Sequence, residues 1–139
     1  MLQFLLDTDH LTLMEHGHPP LKRHLVTQTQ GSVGFTVLTA AESLRGRLSA
    51  IGRARNSAAR LASWGYFLDS IRIFQQFPLV AFDQAAEKRF QQLLSLRLRI
   101  GTQDTMIAAI ALANNLVLVT RNRRDFGRIP GLRIDDWSV

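Results

Sequence analysis

Residues 101–120 read GTQDTMIAAIALANNLVLVT. Met106, Ile107, Ile110 and Ala111 recur at i, i+1, i+4 and i+5, which predicts a helix opening near Thr102 with one buried face. Asn114 and Asn115 interrupt the apolar run, and Leu116–Val119 then has the length and composition of a short strand. The same alternation extends outward. Leu2–Leu6 is a strand apolar on both faces except at Gln3, the pattern of a sheet covered on both sides. Val33–Phe35, Leu79–Phe82 and Leu132–Ile134 are further short strand candidates. Helices are predicted over Thr36–Ser49, over about Arg53–Gln76, and after Asp83, where Ala86, Phe90, Leu93 and Leu94 share an apolar face. Strand followed by helix, repeated without a linker, predicts an α/β fold: a single three-layer domain over residues 1–139, with a mostly parallel central sheet flanked by helices.

A chain of 139 residues can bury a continuous core without covalent staples, and the absence of cysteine removes both disulfides and thiolate zinc sites. That composition suits a reducing cytoplasm. The longest unbroken apolar stretch, Met106–Ala113, falls far short of the roughly 20 residues that span a bilayer. Met1–Leu6 lacks the basic start of a secretory signal. A soluble, cytoplasmic protein with no membrane association is expected. Seventeen basic residues against 11 acidic give a net charge of +6, and 15 of the 17 are arginine. Guanidinium forks pair with phosphate oxygens, which makes nucleic acid a candidate partner. The competing explanation is a solvating positive surface with arginine stems lying over apolar area.

Four acids fall at element boundaries: Asp7 in LLDTD, Glu42 in TAAESLRG, Asp104 in GTQDTMIAA and Asp125 in VTRNRRDF. Each has a structural explanation by itself. Asp104 in the first turn of a helix gains about 0.3–1 kcal/mol from the backbone dipole. Glu42 can pair with Arg45 or Arg47, and Asp125 can cap a short helix. Taken together they point elsewhere. Open parallel sheets bind ligands beyond the carboxyl ends of their strands, where Asp7 falls if Leu2–Leu6 is central. Two ionised carboxylates about 4 Å apart repel by about 4 kcal/mol at an effective dielectric near 20. A fold that gathered Asp7, Glu42 and Asp104 would therefore share protons among them or hold a divalent cation. Oxygen-only ligation suits Mg²⁺ or Mn²⁺. His10, His16, His18 and His24 lack HExxH spacing and cysteine partners, so zinc is not expected; they read as surface histidines, with His10 alone near the acids.

In this order and spacing, LLDTD, TAAESLRG, IGTQDTMIAAIALANNLVLVTRNRRDF and RIPGLRIDDW resemble the PIN-domain endoribonucleases, specifically the VapC toxins of type II toxin–antitoxin pairs, over nearly the whole chain. The resemblance implies that Asp7, Glu42 and Asp104 are catalytic acids that bind Mg²⁺. The fourth acidic position falls to Asp125 or to Asn122, where many such domains carry an acid. Asp9 stands where asparagine is more usual and is expected behind the metal-binding acids or facing solvent. Thr8 and Thr120 are candidates to hydrogen-bond the acids or a metal-bound water, although threonines beside strand ends need no functional reason. The resemblance further implies hydrolysis of structured RNA, tRNA foremost, leaving a 5′-phosphate and a 3′-hydroxyl. A small cognate antitoxin and a second copy of the chain are the implied protein partners.

Arg97 and Arg99 precede the Asp104 motif, and Arg121, Arg123, Arg124 and Arg128 flank the fourth acid, so both groups are expected to contact RNA phosphates. Arg45, Arg47, Arg53, Arg55 and Arg60 read as a solvated helical face. Trp64–Phe74, WGYFLDSIRIF, reads as core packing, with a dimer or antitoxin surface as the alternatives. Two other functions stay open. An RNA-binding PIN-like module with weak catalysis is favoured by Asn122. A receiver-type domain needs a lysine near the acids, and Lys22 and Lys88 are the only lysines.

Overall fold

The computed structural model describes residues 1–139. Its five strands are β1 (Phe4–Leu6), β2 (Val33–Thr36), β3 (Leu79–Val80), β4 (Val117–Val119) and β5 (Ile134–Asp135), in one sheet of order β3-β2-β1-β4-β5. Every pairing is parallel. The chain moves from β1 outward through β2 to β3, then returns to the other side of β1 for β4 and β5. The strand order thus reverses at β1, and a crevice opens at such a point.

Side chains alternate across the central strands as the pleat requires. Leu5 and Leu118 face one way, into a core with Ala86, Leu93, Ile107, Ile110 and Phe126. Leu6 and Val119 face the other way, against Leu11, Leu21, Phe35 and Trp137. The first layer is built by α5 (Gln84–Ser95), α6 (Thr102–Ala113) and the short α7 (Arg123–Phe126). On the opposite face lie α1 (Thr8–Glu15), α2 (Pro19–Val26) and the end of α4 (Ser57–Gln76), whose Ile73 and Phe74 pack there. Two buried faces explain why β1 and β4 carry almost no polar residue.

Local capping sets several boundaries. Thr36 accepts the Thr39 N–H at the start of α3 (Val37–Arg53), Asn56 accepts that of Ala59 in α4, and Asp83 accepts that of Ala86 in α5. Arg53 therefore ends α3 and does not open the next helix; the Asn56 cap restarts the chain at Ser57. α1 and α2, absent from the sequence reading, are eight residues each and bury only His10, Leu11 and Leu21 between them. Their periodicity is too brief to register. β2 approaches β3 closely: a Cβ on Gly34 would meet the Pro78 carbonyl oxygen at 2.6 Å, so only glycine fits there.

The stretch expected as core divides in two. Ile73 and Phe74 pack inward, whereas Leu61, Trp64 and Tyr66 are more than half exposed and Leu68 on the same helix is 45% exposed. α4 stacks against α3 rather than lying fully on the sheet, which leaves its outer face without a partner. No helix is long and apolar enough to cross a membrane.

Candidate active site

Parallel register brings the ends of β1 and β4 together. Leu6 lies opposite Val119, so the next residues, Asp7 and Thr120, emerge side by side. The Thr120 hydroxyl donates to Asp7 Oδ2 at 2.9 Å, and the Thr8 N–H donates to Oδ1 at 2.9 Å as Asp7 caps α1. Asp7 is only 8% exposed. Burial, and next the charge of Asp9, push its carboxyl up to about 6, against the lowering effect of those two hydrogen bonds; Asp104 raises it further.

Glu42 reaches the same end of the sheet from the exposed surface of α3. Its Oε2 accepts from the Thr8 hydroxyl at 3.1 Å and from Gln103 Nε2 at 2.8 Å. It makes no ion pair with Arg45 or Arg47; Arg47 instead pairs with Glu15 and donates to Ser70. Asp104 stands in the first turn of α6, and its carboxyl is raised by partial burial, then by the charges of Asp125, Glu42 and Asp9. Asp125 lies in α7, where it accepts from Asn122 Nδ2 at 3.3 Å and pairs with Arg128 at 3.3 Å. The cap of that helix is Asn122, whose Oδ1 accepts the Asp125 N–H; Asp125 itself is not the cap. Asn122 and Asp125 thus form one small hydrogen-bonded unit at the start of α7.

Asp9 is half-buried, and both of its oxygens are engaged. Its Oδ2 accepts the Arg121 N–H at 2.9 Å and its Oδ1 lies 2.7 Å from His10 Nδ1. His10 is fully buried, which corrects the surface assignment. Its partner is at the other end of the chain: the Trp137 N–H donates to His10 Nε2 at 3.1 Å. No local pattern could reveal a contact between residues so distant in sequence. Gln103 was missed for a different reason, since a single glutamine beside Asp104 carries no motif.

The resulting site is a set of acids with almost no cationic compensation. No salt bridge reaches Asp7, Glu42 or Asp104. As the side chains stand, no three of them converge closely enough to hold a metal ion. The chemistry of the donors fits Mg²⁺ nonetheless: all are carboxylate oxygens, and Asp7 and Asp104 are each raised first by burial and then by the charge of neighbouring carboxylates, which is the repulsion a divalent cation would cancel. None of the sizeable cavities is lined by these acids; Asp7 is buried, Asp104 half-buried and Glu42 exposed at the end of the sheet. An open site suits a polymer better than a small molecule, which needs enclosure.

Exposed arginines lie on the segments that follow β4 and precede α6. Arg121, Arg123 and Arg124 are exposed on the turn after β4 and on α7, and Arg97 and Arg99 are exposed on the loop between α5 and α6. Arg97 and Arg99 both adopt left-handed backbone, with φ of 51° and 59°. Such conformations cost an L-residue roughly 1–2 kcal/mol. Arg128 donates to the Arg99 carbonyl at 3.4 Å, so the loop is tied to the residue that also holds Asp125.

Comparison with known proteins places these features in a family. The model of the PIN domain matches residues 5–132. The tRNA(fMet)-specific endonuclease VapC of Shigella flexneri is 30% identical over 142 aligned residues, covering 99% of this chain and 100% of that protein. The protein of the same description from Salmonella typhimurium is 30% identical, covering 99% of each. Among solved structures, the DNA-bound VapBC of Salmonella typhimurium contains a chain that matches with a TM-score of 0.80 at 27% identity, covering 99% of each chain.

Proposed function

The chain belongs to the PIN-domain family, in its VapC toxin branch, and from that premise we propose that it is a Mg²⁺-dependent endoribonuclease that hydrolyses phosphodiester bonds in structured RNA, tRNA foremost. The observation that carries the reading is the group of uncompensated carboxylates at the strand-order reversal, with exposed arginines on the segments that follow β4 and precede α6. Asp7, Glu42 and Asp104 would hold the ion, with Asp125 nearby. When bound, Mg²⁺ supplies Lewis acidity toward water and phosphate oxygens; Mn²⁺ offers the same chemistry.

The residues of the chain do the rest. Thr8 and Thr120 fix Asp7, while Thr8 and Gln103 both bind Oε2 of Glu42. Oε1 of Glu42 is left free to orient a water and take its proton for in-line attack on phosphorus, leaving a 5′-phosphate and a 3′-hydroxyl. Arg97, Arg99, Arg121, Arg123 and Arg124 bind backbone phosphates and set the register of the strand. A cognate antitoxin is the expected inhibitor and a second copy of the chain the expected partner. The exposed Leu61, Trp64, Tyr66 and Leu68 of α4 offer apolar surface for either.

The test is cleavage of purified tRNA with and without chelator. Cleavage abolished by chelator, restored by Mg²⁺ and leaving 3′-hydroxyl ends is the expected result. Chelator-resistant cleavage leaving 2′,3′-cyclic phosphates would overturn the mechanism. Asn122 at the fourth acidic position favours the alternative of a binding module, for which RNA would be retained but uncut.

The left-handed arginines provide a second test. Glycine adopts such backbone without strain, although it adds freedom to the unfolded chain. The double variant Arg97→Gly, Arg99→Gly should therefore melt no lower than the parent while binding RNA about tenfold more weakly, with a shallower dependence of affinity on salt. A lower melting temperature with unchanged affinity would make the two arginines structural.

A further inference from the structure

We propose that His10 is a positioning residue for the nuclease, linking the C-terminal segment to the acids through Asp9. This rests on the nuclease reading above, but the contact it names is independent of it. Four hydrogen-bonding groups line up. The Trp137 N–H donates to His10 Nε2 at 3.1 Å, so Nε2 carries no proton and acts as acceptor. The proton then resides on Nδ1, which donates to Asp9 Oδ1 at 2.7 Å. The other oxygen of Asp9 accepts the Arg121 N–H at 2.9 Å. Arg121 follows Thr120, the residue that donates to Asp7. A backbone amide near the C-terminus thereby fixes the tautomer of a buried imidazole. The imidazole fixes a carboxylate, and the carboxylate fixes the loop that carries Thr120, Arg121 and Asn122.

The rest of the surroundings agree with this direction. His10 has no exposed surface, so no water replaces either partner. Asp136 Oδ1, at 3.5 Å from Nε2, is occupied by the N–H and hydroxyl of Ser138 at 2.8 and 2.6 Å. The Trp137 segment is itself held, with the indole stacked on His24 and the Ser138 carbonyl 2.8 Å from His18 Nε2. The donor count also explains why position 9 is a carboxylate. It must accept two N–H groups at once, on separate oxygens. Asparagine has one carbonyl oxygen and would present an amide N–H₂ to the protonated Nδ1 or to the Arg121 N–H.

Substitutions that keep one end of the imidazole at a time test the proposal. In Asn the side-chain amide reaches the position of Nδ1, and in Gln the position of Nε2. His10→Asn keeps the donor to Asp9 and should retain kcat within about threefold. His10→Gln keeps the contact to Trp137, loses Asp9, and should lower kcat tenfold or more with KM unchanged. Residue-resolved amide exchange supplies a readout independent of catalysis: Arg121 should exchange at least tenfold faster in His10→Gln and Trp137 faster in His10→Asn. Should either buried substitution fail to fold, the part-exposed Asp9→Asn must reproduce the His10→Gln pattern at Arg121. Equal loss of activity in both His10 variants, or Arg121 exchange unchanged in Asp9→Asn, overturns the proposal. If the parent protein cuts no RNA, the exchange data still decide the linkage, and only the nuclease reading has failed.

Discussion

Asp7→Asn lowers RNA cleavage by at least about 10³-fold, the scale expected for a group acting directly on the reacting centre, and at the same time makes the metal-free protein more stable at pH 7.5. The second half follows from the raised carboxyl. Asp7 holds its proton up to about pH 6 in the folded chain, against 3.8 ordinarily. Between those values the folded state binds more protons than the unfolded one, so stability falls as pH rises through the window, and the loss is complete above about pH 6. A separation of about two pH units corresponds to about 3 kcal/mol. Asparagine caps a helix as well as aspartate does and can keep the Thr8 contact, while its amide donates to the Thr120 hydroxyl. Thermal melting of the two proteins at pH 5 and pH 7.5, with chelator present, checks the expectation. A rise of several degrees at pH 7.5 that shrinks at pH 5 is the expected pattern. A variant less stable than the parent at pH 7.5 would show that the acid pays its own way structurally. Saturating Mg²⁺ should then stabilise the parent and leave Asp7→Asn little changed.

Glu42→Gln separates chemistry from binding. The amide oxygen of glutamine still accepts from Thr8 and Gln103, so the side chain should remain in place, but it can no longer take a proton. General-base catalysis contributes about 10²–10⁴-fold. Single-turnover cleavage should fall by that factor while the dissociation constant for uncut RNA changes less than about threefold. A fall in affinity with cleavage rate preserved would place Glu42 in RNA binding or in holding the fold. Glu42 is exposed and carries no resolved ion pair, so no large change in melting temperature is expected from its substitution.

How much of this was legible in the sequence differs from residue to residue. The helix opening at Thr102 and the strand ending at Val119 appear where the apolar pattern puts them, but the single buried face does not: Ile107, Ala108, Ala109, Ile110 and Ala111 are all buried, and Met106 is only half-buried, because the helix is covered nearly all round. The placement of Asp104 in a first helical turn followed in the same way. α1 and α2 were illegible: Thr8–Glu15 buries two residues and Pro19–Val26 one, too few to set a repeat. Trp64 and Tyr66 were misread because apolar character implies burial only when some surface exists to cover it. His10 was misread for the opposite reason, since what buries a polar ring is a partner for each nitrogen, and both partners were invisible locally.

The sequence by itself determined the alternation of strands and helices, the strands apolar on both faces, and the residue types available for chemistry. These are properties of neighbouring residues, governed by side-chain periodicity and by caps that act over one turn. Only the tertiary structure decided that the strand order reverses at β1, that Asp7 emerges beside Thr120, that Gln103 and Thr8 share Glu42, and that Trp137 reaches His10. Parallel pairing joins segments more than a hundred residues apart, as Leu6 with Val119, and its register comes from the fit of two whole helical layers against the sheet rather than from any local preference.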